Sequence, residues 1–180
     1  RAVNLPLPKR TPKNRVVFFP GSTIGNFDPA DAEAFLTGIR ETVGPGGMLL
    51  IGVDMKKDTG RLIDAYDDAS GVTEAFNKNL LARINRELGG DFDLSLFRHI
   101  ARYNAHLGRV EMHLESCTDQ VVHIDGHAFH FAVGETIHTE SSYKYAPDDF
   151  EGLARDAGFE KKAAWQDADG LFSVMLFRAE

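Results

Sequence analysis

Cysteine occurs once in the 180 residues, at Cys117, so no disulfide can close within the chain. Disulfides belong to oxidising compartments, so a reducing, cytoplasmic setting is expected. Positive charge is also scarce. Lys and Arg total 20 against 27 Asp and Glu, a formal net charge of −7. Nucleic-acid binders concentrate positive charge, so none is expected as a partner. The pairs Lys56-Lys57 and Lys161-Lys162 are isolated and read as solvated faces. No apolar run approaches the roughly 20 residues of a membrane-spanning helix, so no membrane partner is expected. What is there is the composition of a soluble globular protein, 43% hydrophobic and 26% charged, long enough for one domain or slightly more. Internal repeats and low-complexity segments are absent.

The chain opens on Arg1, and Arg1–Asn14 is basic and proline-bearing, like a linker inside a longer protein. The sequence is therefore expected to be a portion of a larger one. Arg15-Val-Val-Phe-Phe19 then reads as a buried strand. It ends in the loop Pro20-Gly-Ser-Thr-Ile-Gly-Asn26. Asp28-Pro29 supplies an N-cap and a proline at the first helical position. Ala32, Phe35, Leu36, Ile39 and Val43 carry the helical period, and Gly44-Pro-Gly-Gly47 stops it. Met48–Val53 is a second fully apolar strand, ending at Asp54. Strand, helix and strand make a βαβ unit with a parallel, covered sheet.

The middle is different. Val72, Phe76, Leu80, Ile84 and Leu88 fall every four residues and predict an amphipathic helix closed by Gly89-Gly90. His99–Tyr103, Arg109–Ser116, Gln120–Ile124 and His127–Val133 predict an antiparallel meander. Pro147–Ala157 reads as a helix closed by Gly158. Phe159–Gln166 and Leu171–Phe177 read as a hairpin about Asp167-Ala-Asp-Gly170.

Three features carry possible chemistry. The glycine loop at the end of the first strand stands where open α/β sheets bind ligands. Its glycines let a ligand approach the backbone, or else merely permit the turn; Asn26 offers a donor and an acceptor. The loop lacks the spacing of a nucleophile elbow or a phosphate loop. Next, the seven histidines are expected to scatter over the surface: His127 and His130 point to opposite faces, and His123 and His127 flank a turn. No metal site is expected from them. Finally, Gly134–Tyr143 is unusually polar for a connector. Glu140 and Ser142 lie two apart, sharing a face if extended, and suit a polar or cationic ligand group.

The run Val17-Phe-Phe-Pro-Gly-Ser-Thr-Ile-Gly-Asn-Phe27 adds a different kind of information. So do Ala65-Tyr-Asp-Asp-Ala69, Gly71-Val-Thr-Glu-Ala-Phe-Asn77, Asn85-Arg-Glu-Leu88, Asp91-Phe-Asp-Leu94, Gly134-Glu-Thr-Ile-His-Thr-Glu140 and Tyr143-Lys-Tyr145. Together they resemble the histidine-specific, S-adenosylmethionine-dependent methyltransferases over essentially the whole chain. The resemblance implies an α/β fold: part of a class I, Rossmann-like methyltransferase sheet with an inserted α+β substrate domain. Residues 1–55 would be the first part of the core, 56–143 the insert, and 144–180 the closing helix and hairpin.

It implies methylation of the α-amino group of L-histidine, toward the betaine hercynine, with S-adenosyl-L-methionine as cofactor. By position, Gly21 and Asn26 match the residues holding the amino acid's α-amino and carboxylate end. Tyr66 matches a tyrosine on the carboxylate and Thr73 a residue near the imidazole. Glu140 and Ser142 match the pair that binds the imidazole, and Met112 a pocket wall. The cofactor's glycine-rich turn would lie upstream of Arg1, so the chain alone is expected to be inactive. Its Arg15–Phe19 strand is expected to offer an apolar edge for contact with another chain. The alternatives are a methyltransferase for another amino acid, such as a tryptophan derivative; a non-catalytic amino-acid-binding fragment; and a metal-dependent enzyme using the histidines.

Overall fold

The computed structural model describes residues 15–180. The linker-like segment Arg1–Asn14 lies outside the described residues. The chain divides into two compact units. One comprises the residues up to Lys56 together with Ser142–Glu180; the other is Lys57–Ser141.

The first unit is built on a four-stranded sheet. Strands β1 (Val16–Phe19) and β2 (Met48–Asp54) are parallel, with Val16 opposite Met48. Helix α1 (Pro29–Val43) joins them after a 3-10 turn, Ser22–Asn26. Strands β8 (Phe159–Gln166) and β9 (Phe172–Ala179) form the closing hairpin, giving the order β1-β2-β9-β8. Helix α4 (Pro147–Asp156) precedes that hairpin. The core is continuous. Leu36, Ile39 and Val43 of α1 meet Leu49, Ile51 and Val53 of β2, with Phe150, Phe159, Met175 and Phe177 beyond. Each such side chain contributes roughly 1.5–3 kcal/mol on burial.

The first strand departs from expectation. It is half-exposed, with Val16 at 59% and Phe18 at 67% exposure. Side chains alternate along an edge strand, so Val17 and Phe19 reach the core while their neighbours face away from it. Asp28 also differs. It precedes α1 in extended backbone, but its carboxylate does not cap the helix. Instead its Oδ1 accepts from the Tyr143 hydroxyl at 2.9 Å.

The second unit holds α2 (Thr59–Tyr66), α3 (Val72–Leu88) and two small sheets. Strands β3 (Phe97–Asn104) and β4 (Arg109–Ser116) pair antiparallel, and β7 (Thr136–Tyr143) flanks β4. Strands β5 (Gln120–Ile124) and β6 (His127–Phe131) form a separate hairpin. The expected four-strand meander is therefore two hairpins. The polar segment read as a connector supplies β4 with its second neighbour.

Helix α3 has the predicted bounds but not the predicted face. Val72, Phe76, Leu80 and Leu88 are exposed, while Asn77 and Leu81 are buried and Ile84 is packed beside them. A four-residue repeat drifts roughly 40° per step around a 3.6-residue helix, so it cannot hold one face inward. The i, i+4, i+7 set of Asn77, Leu81 and Ile84 can. Among the described residues, no helix is long and apolar enough to cross a membrane.

Candidate functional site

In the first unit the glycine loop hangs from the carboxyl end of β1, where its 3-10 turn is pinned by the fully buried Ile24. Of three glycines there, packing demands two and leaves the third unexplained. A Cβ on Gly52 would lie 2.0 Å from the Pro20 carbonyl oxygen, so β2 needs glycine for the loop to cross it. A Cβ on Gly25 would lie 2.7 Å from the Tyr143 carbonyl oxygen and 3.6 Å from Ser142 Oγ. Gly21 is under no such pressure. Its backbone is extended (φ −79°), and only Thr23 Oγ1 lies near a built Cβ, at 3.6 Å. Packing explains Gly25 and Gly52 but gives no reason for Gly21. Asn26 ends the turn, exposed.

The segment from Ser142 to Tyr145 packs against this turn and runs beside the end of β2. Met55 and Tyr145 form a parallel bridge, the Tyr145 N–H donates to the Asp54 carbonyl, and the Lys56 N–H donates to the Tyr145 carbonyl. Lys144 is the most unusual side chain here. It is wholly buried, with Nζ 2.7 Å from Asp54 Oδ2 and 2.8 Å from Ser142 Oγ. A buried cation survives only when paired and hydrogen-bonded. Sequence patterning did not single out Lys144 or Asp54; the only hint was an acid ending an apolar strand. Nearby, the Tyr145 hydroxyl is buried without a hydrogen-bond partner, and burial pushes its pKa up to about 12.

In the second unit, Tyr66 ends α2 half-buried against Leu62, Ala101 and Val110. Its carbonyl can only accept, so His99 Nε2 carries the proton that it donates at 2.7 Å. His99 Nδ1 then accepts from Asn77 Nδ2 at 2.9 Å, and the same amide donates to the His113 carbonyl. Asn77 thereby ties α3 to β3 and β4. Thr73 lies in the first turn of α3. Its N–H donates to Asp68 Oδ1 at 2.8 Å, and the Val72 N–H donates to Asp68 Oδ2. Hydrogen bonds from the Ser70 and Thr73 hydroxyls and from those amides hold the Asp68 carboxyl well below the usual carboxylate range.

Met112 is buried in β4, its carbonyl accepting from Thr139 Oγ1 at 3.0 Å. Glu140 is half-buried in β7, and His138 Nε2 lies 3.1 Å from its carbonyl oxygen.

The histidines are not all scattered, contrary to the sequence reading. His99 and His113 are buried, and the His113 and His138 rings stack with centroids 4.7 Å apart. Glu111 joins them, and one ligand-capable atom from each of the three lies within 4.8 Å of the others. Imidazole lone pairs lie in the ring plane, so stacked rings do not aim them at a common point. Glu111 is further engaged by Arg109 at 2.7 Å and Asn104 at 3.1 Å. Burial lowers the His113 pKa, with Glu111 opposing and His138 and Arg102 reinforcing the shift.

The family model for histidine-specific, S-adenosylmethionine-dependent methyltransferases matches residues 3–179. The chain belongs to this family. Its fold is accordingly α/β and Rossmann-like, with an α+β unit inserted in the chain between β2 and α4. Similar proteins include the histidine N-alpha-methyltransferase of Mycolicibacterium smegmatis, 46% identical over 90% of this chain and 51% of that protein. The enzyme of the same name from Mycobacterium tuberculosis is 42% identical over 90% and 51%. Ergothioneine biosynthesis protein 1 of Neurospora crassa is 32% identical over 89% of this chain and 18% of that protein. The chain spans about half the length of the first two.

Proposed function

We propose that the protein carrying this chain transfers methyl groups from S-adenosylmethionine to the α-amino group of L-histidine, toward hercynine, in the cytoplasm. The observation that carries this reading is the family match across residues 3–179. The two histidine N-alpha-methyltransferases at 42–46% identity support it.

The proposed contacts are seven. Gly21 and Asn26 take the α-amino and carboxylate end, with Tyr66 on the carboxylate. Thr73 and Met112 border the imidazole, and Glu140 and Ser142 bind it. Gly21 supports its part by being a glycine that neither φ nor packing demands.

The described residues offer hydroxyls, an amide and a buried ion pair, a polar set suited to an amino acid. When bound, S-adenosylmethionine supplies a sulfonium methyl group. This chain's work is positioning, which can lower a barrier by about 7–11 kcal/mol when the reacting atoms are held in line. The α-amine attacks in its neutral form, so the substrate's ammonium group must lose a proton before transfer. Glu140 provides specificity, because a site built to accept a ring N–H penalises ligands lacking one. Glu140→Ala in the intact protein is expected to weaken histidine binding by about tenfold or more, read by calorimetry. Unchanged affinity would remove Glu140 from the site.

A further inference from the structure

We propose that His99, oriented by Asn77, is a positioning residue: its ring N–H holds the Tyr66 backbone carbonyl and so places Tyr66 for the carboxylate of the amino-acid ligand. The inference rests on the reading that Tyr66 takes that carboxylate. It adds which residues hold the tyrosine there, all of them within the inserted unit.

Tyr66 ends α2, and the last carbonyls of a helix have no partner within it. The carbonyl of Tyr66 is met by a side chain 33 residues further on, with His99 Nε2 at 2.7 Å. His99 lies on the inward face of β3, between Phe97 of one apolar cluster and Ala101 of the other. It is 8% exposed, and a buried polar ring is costly unless its nitrogens are bonded. Both are.

The bonds run in one direction. The His113 carbonyl can only accept, so the Asn77 atom 3.2 Å from it is the amide nitrogen. That nitrogen's other hydrogen goes to His99 Nδ1 at 2.9 Å, which leaves Nδ1 bare and the ring proton on Nε2. The Tyr66 carbonyl requires that same tautomer. Strand β4 thus sets the amide, the amide sets the ring, and the ring holds the end of α2. Apolar side chains at both 77 and 99 would serve stability about as well, because replacing both partners of a buried hydrogen bond is nearly neutral. The polar pair is explained by what it holds.

Tyr66 is held twice. Its side chain packs with Leu62, Ala101 and Val110, and its backbone is tied to β3. Helix ends fray, and the length of a tyrosine carries any backbone movement out to its hydroxyl. A binding group must stay within about 0.5 Å of its place, and supporting hydrogen bonds of this kind keep it there.

Steady-state kinetics on the intact protein test this with Tyr66→Phe, His99→Gln, His99→Asn and the double variant of Tyr66→Phe with His99→Asn. Glutamine sets an amide nitrogen near the place of Nε2 and keeps the donor to Tyr66. Asparagine reaches only as far as Nδ1 and loses it. Tyr66→Phe is expected to raise the KM for histidine about tenfold, His99→Asn about fivefold, and His99→Gln less than about twofold. The KM for S-adenosylmethionine should move little throughout. The double variant should be no worse than Tyr66→Phe alone, because His99 acts through Tyr66. Equal histidine KM values in His99→Gln and His99→Asn, or full additivity in the double variant, overturns the inference. If His99→Asn does not fold, Asn77→Ser replaces it, removing the amide that sets the tautomer. A histidine KM unmoved by Tyr66→Phe overturns instead the placing of Tyr66 on the carboxylate. Wild-type protein that neither binds nor methylates histidine overturns the functional reading itself.

Discussion

The two units of this chain are specified by different physics. The sheet unit rests on one continuous apolar core, running from Ile24 and Leu36 through Ile51 to Phe177. The other unit divides its apolar residues between two small clusters, around Leu81 and Phe97 and around Leu62 and Val110. It makes up the difference with buried polar groups: Asn77, His99, His113, Glu115 and Ser116. An apolar core tolerates exchange of similar volumes, whereas a buried polar network fails if one partner is lost. The sheet unit should therefore be sensitive to shape, and the inserted unit to hydrogen-bonding chemistry.

The sharpest shape test is Gly52→Ala. The new methyl group would overlap the Pro20 carbonyl, and stability in urea should fall by about 3 kcal/mol or more. Chemistry is tested by Asn77→Ala, which strands His99 Nδ1 and the His113 carbonyl. A loss of about 2 kcal/mol in the same assay is expected, although little apolar surface is removed. A near-zero effect there would erase the contrast between the units.

A smaller effect concerns acid. Burial lowers the folded His113 pKa below its ordinary value of 6.5. The unfolded chain then binds more protons, so this stability is present above about pH 6.5 and is lost as pH falls through and below it. Melting temperature should drop between about pH 7 and 5, and His113→Gln should flatten that drop. The smallest effect is expected at Phe76→Ser. Its side chain is 66% exposed, so stability should change by no more than about 0.5 kcal/mol. A loss of several kcal/mol would mean that the four-residue stripe does face a core.

The same contrast explains what could be read from the sequence. In the sheet unit, apolar runs and glycine turns mark β1, α1, β2 and the hairpin β8–β9 almost to the residue. The reading of β1 as buried misses only that an edge strand shows one face. In the inserted unit, periodicity locates α3 but turns it the wrong way, because the buried position Asn77 is polar and invisible to a hydrophobic count. Strand β7 is hidden for the same reason: Thr136–Tyr143 is polar, and its pairing with β4 comes from distant chain. At the candidate site, Gly21, Asn26, Glu140 and Ser142 are legible through family motifs. The burial of Lys144 and its pairing with Asp54 are not, since they depend on a partner ninety residues away in sequence.

The central claim is methylation of histidine at its α-nitrogen. The most direct test incubates the intact protein with S-adenosylmethionine and an equimolar mixture of the common amino acids, then follows methylation by mass spectrometry with fragmentation to place the methyl group. Methyl groups are expected on the α-nitrogen of histidine and on no other amino acid. Methylation of tryptophan in preference to histidine, or of the imidazole ring, would contradict it.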